Sequence, residues 1–289
     1  MANRRALCVG INDFKHFPDA KLNGCVNDAN DMAKLLKEVY GFGNTDIVTL
    51  TNAKATKKNV MKQLSAMVND AKAGKLSYLV FSFSSHGTQI PDTSKDEPDT
   101  ADEVFCPYDL AQKGNQWDPA RIISDDELHD LFDQLPPSVQ LEVFMDTCHS
   151  GTGLKNIDFN MLLLRRMKPR YLPPPSYKAF AKDPRMVGLA KKLSKTKMSK
   201  DLAPSASTSK RKQIVLWSGC RADQTSADAF FDGRYNGAFT YNYIKIVRAN
   251  PKLSRGKVRS KLIAQLKKDG FEQIPQLETD ATNRNKRSG

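Results

Sequence analysis

Continuous apolar runs of strand length recur five times in this chain, interleaved with stretches of helical periodicity. The runs are "RRALCVGI" at 4–11, "DIVTLTN" at 46–52, "LSYLVFSFSS" at 76–85, "VQLEVFMD" at 139–146 and "QIVLWSGC" at 213–220. A strand that is apolar on both faces must be covered on both, which is the situation of a parallel sheet between helical layers. The covering helices are legible too. "NDANDMAKLLKEVYGFG" sets Met32, Leu35, Leu36 and Val39 at helical spacing and closes on glycines. "TKKNVMKQLSAMVNDAKAG" is a second amphipathic stretch, and "SDDELHDLFDQL" opens with Ser124 and Glu127 at the spacing of a capping box. "GAFTYNYIKIVRA" and "LSRGKVRSKLIAQLKKDG" add two helices, and "QIPQLE" a late extended piece. The pattern predicts an α/β fold in three layers, a mostly parallel central sheet with helices on both faces and right-handed crossovers. In such sheets, sites form at the carboxyl ends of strands.

The formal net charge of +13 suggests an acidic partner until it is located. Residues 165–212 hold 15 Lys or Arg against Asp183 and Asp201, which is the whole excess; the remainder has 30 bases and 30 acids. That segment carries "LPPPS" and "APSASTSKRK" and reads as a flexible basic connection. The chain accordingly divides into 1–164, the connection 165–212, and 213–289 completing the same domain. No apolar run approaches the roughly 20 residues that span a bilayer. The first residues, "MANRRALCVGINDF", read as a strand and not as a leader. Five cysteines without paired spacing argue against a disulfide framework or zinc site, so a cytoplasmic location and no membrane partner are expected.

Two of the apolar runs end in reactive groups. The third passes into "SSHGTQ" and the fourth into "DTCHSGTG", so His86 and Cys148 both emerge at strand carboxyl ends, on neighbouring strands if the strand order is conventional. A thiol is only a few per cent ionised at neutral pH; a nearby imidazole allows it to act as thiolate and can protonate the leaving amine. The N–H groups of Gly87 and Cys148 are candidates to hold the oxyanion of a tetrahedral intermediate. His149 directly follows the thiol and reads as structural. Cys8, Cys106 and Cys220 lie in apolar contexts and read as core residues.

These motifs resemble those of the metacaspases, within the caspase-like cysteine peptidases. The similarity extends through "LNGCVNDANDM", "DEVFCPYDL", "ISDDELHDLF", "WSGCRADQTSADA", "GAFTY" and "EQIPQLE" in order. It implies a caspase-like sandwich, a cysteine endopeptidase working through a His86–Cys148 dyad, and a monomer. The family usually carries Gly where this chain has Ser85, which narrows the backbone angles available before His86.

An acid at the end of a buried strand needs a partner, and Asp146 stands two residues before the thiol. Asp28, in the first turn of a helix, is by itself equally a capping residue. In metacaspases the positions matching Cys25, Asp28, Ser84 and Asp146 line the pocket for the substrate's basic side chain. Two carboxylates there imply cleavage of protein or peptide substrates after Arg or Lys. The basic connection is then itself a candidate substrate, and self-processing between 165 and 212 is expected.

The resemblance also implies Ca²⁺, with Asp102, Asp125 and Asp126 at the matching positions. Carboxylates suit a hard cation, though Asp125 and Asp126 equally suit a helix's first turn. A further acid expected after the thiol is replaced by Lys155, with Asp158 the nearest acid. Calcium stimulation is the expectation, with calcium independence the alternative. Two other readings compete with the enzyme. One is a caspase-like scaffold that has lost activity and works through its basic linker. The other is non-specific, salt-sensitive nucleic-acid binding by that linker, which no nucleic-acid motif supports.

Overall fold

The structure is a computed structural model and describes residues 3–91, 101–148, 167–175, 213–221 and 224–289, with Pro91, Ala101 and Asp102 described in their backbone alone. Strands β1 (Arg4–Gly10), β2 (Ile47–Thr51), β3 (Tyr78–Ser84), β9 (Gln140–Asp146), β11 (Gln213–Ser218) and β14 (Gln276–Glu278) form the central sheet. Their order is β14-β11-β9-β3-β1-β2, and every neighbouring pair is parallel except β11 with β14. Each of the five apolar runs supplies one of the parallel strands.

Helices α1 (Cys25–Tyr40), α4 (Ala238–Ala249) and α5 (Arg255–Lys268) cover one face. Helices α2 (Lys57–Lys72) and α3 (Asp125–Asp133) cover the other. Alternation along β1 shows how the layers are fed: Leu7 and Val9 join the core under α2, while Ala6 and Cys8 join the core under α1. Helix α1 ends where Gly41 takes φ 71° and its N–H reaches back to the Leu36 carbonyl, a left-handed cap that glycine adopts without strain. Helix α3 starts with the expected box, Ser124 Oγ accepting from Glu127 N and Glu127 accepting from Ser124 N. All five cysteines are free and buried. Among the described residues, no helix is long and apolar enough to cross a membrane.

Smaller strands build the rim above the carboxyl ends of the sheet. β4 (Gly87–Pro91), β5 (Ala101–Phe105) and β8 (Ile123–Ser124) form one antiparallel sheet, and β6 (Gln112–Lys113) with β7 (Gln116–Trp117) a short hairpin. β10 (Lys168–Pro169), β12 (Ala227–Phe231) and β13 (Arg234–Gly237) form another three-stranded sheet. β10 belongs to the stretch read from sequence as a flexible connection. Residues 167–175 of it instead run along the rim: Lys168 pairs with Asp228, Pro169 with Ala227, and Tyr171 bridges Gly87. The physical reason is local, since "KPRYL" combines one guanidinium with two large apolar side chains that the rim can bury. Residues 176–212 lie outside the described residues.

Candidate active site

β3 and β9 are neighbours in register, with Ser84 opposite Asp146, so the residues that follow each strand emerge side by side. After β3, Ser85 turns the chain and its Oγ donates to the Cys106 carbonyl at 2.7 Å, while Cys106 N donates to the His86 carbonyl at 3.1 Å. Ser85 keeps a negative φ, so serine is accommodated here without strain and ties the His86 loop to the end of β5. The imidazole is buried and packs against the Phe14 ring at 5.3 Å. His86 Nε2 lies 2.8 Å from the Ala20 carbonyl oxygen, which can only accept, so Nε2 carries the proton and Nδ1 the lone pair. Nδ1 is buried without a hydrogen-bond partner. Burial pulls the His86 pKa down from 6.5 to about 4, against the opposing effect of the Ala20 carbonyl. The ring is therefore neutral at physiological pH.

Cys148 follows β9 by two residues and is buried, its Sγ donating to the Gln224 carbonyl at 2.8 Å. The N–H groups of Gly87 and Cys148 converge on one oxygen, the carbonyl of Arg170, at 2.9 and 3.2 Å. Arg170 N donates to the Ser226 carbonyl at 3.0 Å, and Leu172 N to the Gly87 carbonyl at 2.9 Å. The peptide joining Arg170 to Tyr171 thus lies across the site with its backbone held on both sides.

The Arg170 side chain is fully buried among three carboxylates. Its Nη2 reaches Asp28 Oδ2 at 2.6 Å and Asp228 Oδ1 at 3.0 Å, and its Nη1 reaches Asp146 Oδ2 at 3.1 Å and the Asp146 carbonyl at 3.1 Å. Each acid is fixed by further donors. Asp28 Oδ1 accepts from Gly237 N at 2.9 Å and Asn236 Nδ2 at 3.0 Å. Asp146 accepts from Ser226 Oγ, from Thr240 N at 3.1 Å and from Thr240 Oγ1 at 2.7 Å. Asp228 accepts from Asn23 N at 2.8 Å and Gly24 N at 2.9 Å. Three acids exceed one guanidinium in charge, and burial raises Asp28 to about 7 despite Arg170 beside it. Glycine forms part of the wall because nothing larger fits: a Cβ on Gly237 would sit 2.1 Å from Asp146 Oδ2 and 2.5 Å from Arg170 Nη1.

Of the residues singled out from sequence, the fold gathers Cys25, Asp28, Ser84, His86, Gly87, Asp146 and Cys148 around this segment. Cys25 opens α1 and lies within electrostatic reach of Arg170, with its thiol pKa pushed well up by burial. Ser84 Oγ is buried without a hydrogen-bond partner, beside Asp146 in the sheet. Asp125 and Asp126 sit apart, in the first turn of α3, where Asp126 N donates to Asp125 Oδ1 at 3.1 Å. Among the described residues no cluster of three or more His, Cys, Asp or Glu is placed to hold a metal ion. The side chain of Asp102, together with His149, Lys155 and Asp158, lies outside the described residues.

Sequence reasoning missed four participants. Asp228 is a buried acid on the short strand "ADAFF", and the argument that singled out Asp146 applies to it equally. Arg170 is one base in a run of bases. Cys220 is buried, as its apolar context suggests, but nothing in the sequence shows that it packs with Cys148 and Tyr171 in a small core cluster of its own. The Ala20 carbonyl is a backbone acceptor and leaves no trace in residue type.

Comparison with known proteins agrees with this architecture. The family model for the metacaspase peptidase C14 domain matches residues 4–157. Metacaspase-1A of Aspergillus oryzae is 31% identical over 294 aligned positions, covering 95% of this chain and 67% of that protein. Metacaspase-1B of Aspergillus fumigatus is 32% identical over 299, covering 95% and 69%. Among solved structures, protein GSU0716 from Geobacter sulfurreducens superposes with a TM-score of 0.66 at 29% identity, covering 99% of this chain and 97% of that one. Caspase-1 from Spodoptera frugiperda shares the fold, with a TM-score of 0.57 at 11% identity over 96% of this chain and 86% of that one. The three-layer sheet is thus a caspase-like α/β sandwich, and the chain belongs to the metacaspase family of cysteine-type endopeptidases.

Proposed function

We propose that this protein cleaves peptide bonds after arginine or lysine through Cys148 and His86, and that its own Arg170–Tyr171 bond is its first substrate. One observation carries the reading: the Arg170 carbonyl oxygen is held by the N–H groups of Gly87 and Cys148 while its guanidinium is clamped by Asp28, Asp146 and Asp228. A specificity pocket and an oxyanion hole engaged by one residue is the geometry of a bound substrate.

The chemistry follows from the atoms present. Cys148 Sγ leaves the Gln224 carbonyl, gives its proton to the lone pair on His86 Nδ1, and attacks the Arg170 carbonyl carbon. The two N–H donors take up the charge that develops on oxygen. On collapse the C–N bond breaks, and His86 returns the proton to the Tyr171 nitrogen, which leaves as a free amine. Water, deprotonated by His86, then releases the Arg170 carboxylate and restores the thiol. The Nε2–H···O=C bond to Ala20 fixes the neutral ring in the tautomer whose Nδ1 can take up and return the proton. The neutral ring matches a thiol–imidazole resting state, with the proton moving only as the bond forms. Lysine would place one ammonium where arginine places a two-pronged fork, so arginine should be cut faster.

Calcium stimulation belongs to the same proposal. β5 pairs with β8 through Val104–Ser124 and Phe105–Ile123, and α3 begins directly after β8. The resemblance makes Asp102, Asp125 and Asp126 the candidates to hold Ca²⁺, which would supply charge neutralisation there. β5 also pairs with β4, Phe105 lying opposite Gly87, so order in this sheet is passed to the oxyanion donor. Rates on otherwise identical Arg, Lys and Asp peptides, with and without Ca²⁺, test the reading. Arg above Lys with no Asp cleavage, and a rise with Ca²⁺, is expected; cleavage after Asp would overturn the specificity, and a rate indifferent to millimolar Ca²⁺ the metal site.

A further inference from the structure

We infer that the enzyme also reads the residue after the cut, through an apolar slot floored by Cys220 that selects an aromatic side chain; the inference rests on Arg170–Tyr171 being the bond cut. Tyr171 is as buried as a core residue, and its partners in that burial are Cys148 and Cys220. Cys220 follows β11 by two residues, which brings its thiol to the same end of the sheet as Cys148. The Cys220 sulfhydryl points to the carbonyls of Gln224 at 3.5 Å and Thr147 at 3.8 Å, an anchored wall of the slot.

The backbone on this side of the bond is fixed as firmly as on the other. Leu172 N donates to the Gly87 carbonyl at 2.9 Å, two residues beyond Arg170, whose oxygen Gly87 N holds. Leu172 then packs on the core beneath α2. With the chain held at both positions, the Tyr171 side chain is buried in the cluster with Cys148 and Cys220. Contacts made to the leaving half of a substrate persist through the first transition state, so they act on the rate of acylation. A small or charged residue here would leave the slot unfilled or bury a charge without a partner.

The test uses two readouts. In the intact chain, Tyr171→Phe should process at the wild-type rate, whereas Tyr171→Gly and Tyr171→Asp should process at least about tenfold more slowly, the size of discrimination an apolar subsite provides. In trans, processed enzyme is given quenched-fluorescence peptides containing Met-Lys-Pro-Arg followed by Tyr, Gly or Asp. The Tyr-to-Gly ratio of kcat/KM should be about tenfold or more and should fall towards one in Cys220→Leu, which fills the slot, with Cys220→Ala as a smaller second variant. Equal cleavage of all three peptides, or a ratio that neither Cys220 variant moves, overturns the inference while leaving the arginine reading intact. Failure to cut any of them overturns both.

Discussion

Replacing Arg170 by glutamine in a Cys148→Ala background isolates the energetics of the docked segment from any cleavage. The arginine is fully buried against Asp28, Asp146 and Asp228 at 2.6, 3.1 and 3.0 Å. Glutamine removes the cation and leaves three buried acids. Removing one partner of a buried ion pair costs about 3–5 kcal/mol, because the charge left behind is uncompensated. Water entering as residues 167–175 lift away limits the loss, so the lower figure is the expectation. A loss of about 3 kcal/mol should lower the melting temperature by roughly 6–12 °C. The pH dependence gives the sharper check. Without the guanidinium that now holds it down, the folded-state pKa of Asp28 rises further above its unfolded value, and a group of that kind stabilises below the unfolded pKa and loses its contribution as pH rises through the folded one. Asp28 already stands at about 7 with the arginine present. The stability gap between the Cys148→Ala protein and its Arg170→Gln derivative should therefore be wide at pH 8 and narrow at pH 5. Urea unfolding at both pH values, with Arg170→Lys as a charge-retaining control, measures it. Equal stabilities at pH 8, or a gap that does not close on acidification, would refute the claim that this arginine neutralises the pocket.

Other changes carry their own signatures. Gly237→Ala puts a methyl 2.1 Å from Asp146 Oδ2, so peptides with arginine before the cut should lose on the order of a hundredfold in kcat/KM, a near-attack misplacement read by steady-state kinetics. His86 is held to about 4 by burial. Its contribution to stability is present above pH 6.5 and lost as pH falls through 4, so His86→Gln should flatten the acid limb of the stability–pH curve measured by thermal denaturation.

The sheet was legible because its strands are apolar on both faces, and that pattern has few solutions. The caps were legible because Ser124, Glu127 and Gly41 answer backbone geometry directly. His86 and Cys148 announced themselves by position at strand ends, and Asp146 by being an acid where none is tolerated alone. What occupies the pocket was not legible. Arg170 lies in a segment with neither helical nor strand periodicity, and its burial depends on acids 142, 24 and 58 residues away along the chain. Composition makes residues 165–212 a flexible basic connection, and that reasoning is sound for charge in bulk; it fails at Arg170, which the fold encloses. Asp228 escaped because its strand is short and flanked by small residues, so its burial showed only once β12 was seen pairing with β10.

The central claim is that the enzyme holds its own chain as a substrate, with one particular bond presented to the thiol. Mass spectrometry and amino-terminal sequencing of the fragments from purified wild-type protein test it most directly, with Cys148→Ala beside it. The account predicts a new amino terminus at Tyr171 in the wild type and an uncut chain in the variant. Wild-type protein that is cut only elsewhere, or a Cys148→Ala chain that is cut at Tyr171 at the same rate, would contradict it.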